Sequence, residues 1–251
     1  MPAAEHWGAV PAGGAAGRRA TLVAVVNPNT DTATTAMMAA IARRTLRPED
    51  GYEVRGVTVA AGPAMLVDEE ALRASAGHVR DAADRLLAGP DGARVAAVVV
   101  SAFGDPGVEE LRTRLSVPVV GIAEAAMREA GADGRRFGIA TTTPRLAAAI
   151  DARVRRLGWS AQYTGVHLTP GDPRQLATAP KDMTDRLAEA VELCVREDGA
   201  EAVVIGGGPL GEAAEALRDR SPVPVVGPIP AAAREVRRLL GRTAPAPRCP
   251  P

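Results

Sequence analysis

One stretch of this chain is written twice. Residues 97–102, Ala-Val-Val-Val-Ser-Ala, lead into a Gly/Pro loop, a short helical stretch and Val-Pro-Val-Val-Gly at 117–121. The same order returns at 202–207 as Ala-Val-Val-Ile-Gly-Gly, then a Gly/Pro loop, a short helical stretch and Val-Pro-Val-Val-Gly at 223–227. A one-residue difference in the intervening segment aligns the two copies. A fainter echo pairs 23–30 with 138–143, each a β-branched run ending in small polar residues at a helix start. Duplication of a strand–loop–helix unit predicts two lobes related by approximate two-fold symmetry. Chance recurrence in a chain rich in Val and Pro is the plainer alternative, and it leaves the matched unit before each copy unexplained.

Short apolar runs at 22–26, 53–59, 96–101, 117–121, 137–140, 162–167, 202–206 and 223–227 alternate with amphipathic stretches of helical period. Nearly continuous apolar strands separated by helices are the signature of parallel sheets covered on both faces. The expected architecture is therefore α/β, with two lobes, each a parallel sheet flanked by helices. We assign residues 21–124 plus 228–241 to the first lobe and 125–227 to the second. The Ala/Gly-rich residues 1–20 and the Pro-rich residues 242–251 read as disordered tails.

Composition removes several classes of function. Lys plus Arg equals Asp plus Glu at 30 each, so no basic surface for nucleic acid is expected. No apolar run is long enough to cross a bilayer, and the N-terminal stretch has no extended apolar segment of a secretory signal, so a cytoplasmic location without membrane association is expected. His6, His78 and His167 stand singly, and Cys194 and Cys249 are too few for a disulfide framework, so no metal site is expected. Cys194 falls in a stretch of helical period and reads as a small core residue.

In open α/β sheets ligands bind beyond the carboxyl ends of the strands, where loops and helix N-termini present N–H groups. Facing lobes would line one pocket with 27–30, 102–105, 141–143 and 207–210. Asn27, Asn29 and Thr30 serve equally well as caps of the following helix or as donors to a carboxylate, amide or imide. Thr141 and Thr142 have the same two readings. Ala102, Phe103, Gly207 and Gly208 form Gly-rich turns that permit close backbone approach, and match no nucleotide-binding fingerprint, so no cofactor is expected. Asp105 reads first as a turn cap, Glu124 as a helix-start carboxylate and His167 as a structural histidine. With Ser101 these are the unranked candidates for moving a proton.

Taken in order, Asn27-Pro-Asn-Thr30, Gly62-Pro-Ala64, Phe103-Gly-Asp-Pro-Gly107, 117–125 and the loop beginning at Gly206 resemble the hydantoin racemase branch of the aspartate/glutamate/hydantoin racemase superfamily, over nearly all of 21–241. The resemblance implies a cofactor-independent mechanism in which two cysteines face each other across a stereocentre, one thiolate removing a proton and the opposite thiol delivering one. The family's first cysteine precedes the Phe-Gly-Asp-Pro-Gly segment, where this chain has Ala102. The second follows the first glycine of the second loop, where it has Gly207. A methyl group and a hydrogen exchange no proton, so two-thiol racemisation is not expected. The leading expectation is a repurposed enzyme that binds a small or medium carbonyl or carboxylate compound and promotes isomerisation, cyclisation or bond cleavage through oriented donors. The rivals are a catalytically silent sensor and a racemase using other bases. Oligomeric state is left open, a homo-oligomer included.

Overall fold

The structure, a computed structural model, describes residues 20–243. The expected tails fall outside the described residues, apart from Ala20 and the end of the last helix, which runs on to Thr243. Strands β1 (Thr21–Asn27), β2 (Tyr52–Thr58), β3 (Val95–Val100) and β4 (Val119–Gly121) form one sheet in the order β2-β1-β3-β4. Strands β5 (Phe137–Thr141), β6 (Tyr163–Leu168), β7 (Ala202–Ile205) and β8 (Val225–Val226) form a second in the order β6-β5-β7-β8. All neighbours are parallel, and the two orders are the same pattern.

The written-out repeat occupies equivalent places. Its first half forms β3 and β7, and its Val-Pro-Val-Val-Gly segments form β4 and β8. Both of these begin later than the sequence suggests, because proline carries no N–H for the ladder. Pro118 and Pro224 therefore only accept, from Val98 N and Val203 N, each at 2.9 Å.

Nine helices cover the sheets among the described residues: α1 (Thr32–Thr45), α2 (Glu69–Ala88), α3 (Val108–Arg114), α4 (Ile122–Ala130), α5 (Ala147–Arg156), α6 (Pro173–Ala177), α7 (Pro180–Arg196), α8 (Gly211–Leu217) and α9 (Pro228–Thr243). Alternation along β1 divides its side chains. Leu22, Ala24 and Val26 pack with α2 and α3, whereas Val23 and Val25 face an inner layer. That layer contains Met38 and Ile41 of α1, Met127 of α4 and Val236 of α9, and continues to Phe137 and Ile139 of β5. One apolar core thus spans both sheets, and α7 and α8 close the far face of the second. Helix α9 follows the last strand of the second sheet yet lies on α4 and α1, and for this reason we keep it with the first lobe as a working division.

Phe137 is fully buried in this shared core, with Trp159 edge-on at 6.2 Å and Tyr163 at 6.0 Å between ring centroids. Truncating such a ring leaves a cavity costing about 3–5 kcal/mol. Phe137→Ala is expected to lower the unfolding free energy by that amount in urea titration, with both lobes lost in a single transition.

Candidate active site

The carboxyl ends of β1, β3, β5 and β7 open on one cavity of about 660 Å³, within the range of small-molecule sites. Its floor is polar. Asn27, Asn29, Ser101, Ala102, Phe103, Thr141, Thr142, Gly207 and Gly208 all line it, so residues from both lobes meet there.

Two floor groups keep free donors. Asn27 Nδ2 donates to Asn29 Oδ1 (2.7 Å), Asp31 O (3.0 Å) and Thr35 Oγ1 (3.0 Å), so Asn27 is consumed in building the turn. Asn29 Oδ1 also accepts from Asp31 N at 3.0 Å, which fixes the amide orientation and leaves Nδ2 without a protein partner. Thr141 Oγ1 donates to Gly206 O at 2.7 Å, just as Ser101 Oγ donates to Val26 O at 2.7 Å. The neighbouring Thr142 hydroxyl, in a residue 5% exposed, has no protein partner.

The three glycines after β7 have different reasons. An added Cβ at Gly208 would sit 2.6 Å from Ser101 O, and one at Gly206 would sit 2.9 Å from Ile139 Cγ2. Gly208 thus lets the second lobe's loop touch Ser101 of the first, and Gly206 packs on Ile139 of its own sheet. At Gly207 the backbone is extended (φ 179), and a Cβ would meet only the Leu210 side chain, at 3.0 Å. Gly207 and Ala102 are half-buried between buried neighbours.

Three of the four proton-transfer candidates lie elsewhere. Asp105 is fully buried in a left-handed turn (φ 54), where its carboxylate accepts from Ala123 N (2.8 Å) and Glu124 N (2.9 Å) at the start of α4. Arg153 of α5 donates to it at 2.9 Å, tying the 101–107 loop to the second lobe. A Cβ at Gly121 would fall 2.3 Å from Asp105 Cγ, which is why a glycine precedes α4. Glu124 accepts from Arg112 (2.9 Å) and Arg128 (2.7 Å) beside a separate hollow. His167 Nε2 pairs with Asp198 Oδ2 at 2.8 Å on the edge strand β6. Ser101 does line the cavity, but its proton is held by Val26 O. Thr30 is not among the lining residues; it ties β1 to the next loop through Thr30 N to Pro63 O at 3.1 Å.

The walls were not foreseen. Met37, Met65, Leu66, Leu72, Leu146 and Met183 give them an apolar character, and Pro173, Pro180, Lys181 and Thr184 close one side. These residues sit on helices and loops that reach the cavity only through tertiary packing, and no local signal marks them. Asp31, Lys181 and Glu212 are the titratable lining residues. The Thr34 hydroxyl, with the first N–H groups of α1, holds the Asp31 carboxyl below its usual range. No group of three or more His, Cys, Asp or Glu suited to a metal occurs among the described residues, and no helix among them is long and apolar enough to cross a membrane.

Cys194 lies in α7, fully buried against Gly138 of β5, and does not line the cavity. Burial pushes its thiol up to about 12. It is therefore expected to resist alkylation in the native protein at neutral pH and to react on unfolding, as read by peptide mapping. Arg153→Ala leaves the buried Asp105 carboxylate without its cation, held only by two N–H groups of α4, an expected loss of about 3 kcal/mol in urea unfolding. The exposed Arg114–Asp84 pair should contribute about 1 kcal/mol or less by the same measurement.

The sequence matches the model of the Asp/Glu/Hydantoin racemase family over residues 23–236. It is 28% identical over 222 residues to a hydantoin racemase of Paenarthrobacter aurescens, covering 87% of this chain and 90% of that protein. The fold superposes on the structure of an allantoin racemase from Klebsiella pneumoniae with a TM-score of 0.81 at 29% identity, covering 89% of each chain. An arylmalonate decarboxylase structure shares the fold at a TM-score of 0.61 and 18% identity, covering 89% of this chain and 94% of that one. With its two parallel sheets and a match over most of its length, the chain belongs to the Asp/Glu/hydantoin racemase family.

Proposed function

We propose that the chain is a cofactor-independent enzyme of isomerase, cyclase or lyase type that binds a small or medium carbonyl or carboxylate compound between its lobes. The observation that carries this reading is the composition of the floor: free neutral donors at Asn29 and Thr142, and no thiol among the lining residues. The resemblance puts Ala102 and Gly207 where thiols would face each other, so proton relay across a stereocentre is not the chemistry assigned here.

Oriented donors remain useful without a base. When a bond next to a carbonyl breaks heterolytically, its electron pair moves onto the carbonyl oxygen, and preorganised N–H and O–H groups stabilise that charge. Water can then supply the proton. Hydantoin and allantoin, the compounds named for the relatives, present such carbonyls beside a substituted carbon, which supports an imide or amide head on this floor. The apolar walls fit a substituent larger than a methyl group.

The test is to incubate the protein with substituted hydantoins, allantoin and substituted malonates and follow each by NMR and mass spectrometry. Turnover of at least one compound is expected. Thr142→Val and Asn29→Asp, which keep the local acceptor geometry while removing a donor, should lower kcat/KM by roughly 10²-fold each. Saturable binding without any chemical change would instead make the protein a silent sensor, and unchanged kcat/KM in both variants would remove the donors from the mechanism.

A further inference from the structure

Lys181 is the only lysine among the 30 basic residues of the chain; every other cation is arginine. It stands on the wall of the cavity. Its position in the first turn of α7 is locally unfavourable, because the positive end of a helix dipole repels a cation. Its partner Asp185, accepting at 2.7 Å, is four residues toward the C-terminus, the weaker orientation for such a pair. The Lys181 side chain is 91% exposed, so it covers no apolar surface. Packing therefore gives no reason for a lysine here and the Asp185 pair only a small one, and a residue placed against the helix dipole next to a cavity points to the cavity's ligand.

The lining supplies the rest. The free donors of Asn29 and Thr142 are neutral, Asp31 is engaged in capping α1, and the exposed Glu212 is the other lining carboxylate. Lys181 is the cation among the lining residues. Met and Leu side chains line the same cavity. We propose that Lys181 binds the carboxylate of the substrate, and that the cavity takes an elongated anion with an amide or imide head on the floor, an apolar middle and a carboxylate at Lys181. The head assignment rests on the reading of the floor given under Proposed function; the carboxylate assignment rests on Lys181 alone. Asp185 raises the affinity of Lys181 for its proton, so at neutral pH it acts as an ammonium ion and not as a nucleophile.

A lone lysine permits a direct readout. Reductive methylation with ¹³C-formaldehyde labels Lys181 and the α-amino group only. The labelled protein is titrated with glutaric and suberic monoamides, which carry one carboxylate, and with the corresponding neutral diamides. The Lys181 resonance is expected to shift saturably with at least one monoamide, binding at least tenfold tighter than its diamide. In unlabelled protein Lys181→Met should lose that tenfold by calorimetry, and Lys181→Arg should keep most of it. Equal affinity for acid and diamide, no loss in Lys181→Met, or no shift with any monoamide at millimolar concentration would overturn the proposal. If Lys181→Met loses affinity while Thr142→Val and Asn29→Asp do not, Lys181 binds the anion and the floor reading fails.

Discussion

Everything about this site depends on the apolar layer shared by the two sheets. Val23 and Val25 of the first sheet and Phe137 and Ile139 of the second pack into one continuous core through α1, α4 and α9. A parallel sheet directs the carboxyl ends of its strands to one edge, where peptide groups and loop side chains are left to meet solvent or ligand. Packing two such sheets on one core fixes how those edges face each other. Had each lobe a core of its own, with a polar interface, domain motion would be the default and the cavity would change shape with it.

That rigid placement explains the small residues around the cavity. Gly208 is where the second lobe's loop lies against Ser101 O, so a side chain there would separate the loops, and Gly206 lies against Ile139 of its own sheet. Asp105 completes the arrangement from behind, capping α4 with both oxygens and holding Arg153 of the other lobe. Its charge is spent on position. The free donors of Asn29 and Thr142 are thus held on rigid strand ends, the condition under which a hydrogen bond to a developing oxyanion costs no reorganisation.

Much of this could be read from the sequence, for a physical reason. Central strands buried on both faces are nearly continuous apolar runs, and all eight strands were legible; the expected segments 27–30, 102–105, 141–143 and 207–210 each reach the cavity, although Pro28, Thr30, Gly104 and Asp105 do not line it. The repeat at 97–121 and 202–227 gave the two-sheet plan. Titratable residues were harder to place. Asp105, Glu124 and His167 lie close in sequence to the motifs, but a left-handed turn, a helix face and an edge strand aim them at Arg153, Arg112 with Arg128, and Asp198. Apart from Arg128, one helical turn from Glu124, these partners lie 12 to 48 residues away, and single-sequence patterns carry no pairing information at that range. The same holds for Met37, Leu66, Leu146 and Lys181, whose approach to the cavity is purely tertiary.

The central claim is that Ala102 and Gly207 line one cavity that lacks the thiol pair the family resemblance implies at these positions. Restoring it tests the claim directly, since Gly207 has an extended backbone that accepts a side chain once Leu210 yields slightly. The measurement is exchange of the ring C–H of 5-benzylhydantoin in deuterated water, followed by NMR at neutral pH, for the native protein and for Ala102→Cys combined with Gly207→Cys. Exchange no faster than buffer for the native protein, and at least tenfold faster for the folded double variant, is the predicted result. A folded double variant that leaves the background rate unchanged, or a native protein that exchanges as fast as the variant, would contradict it.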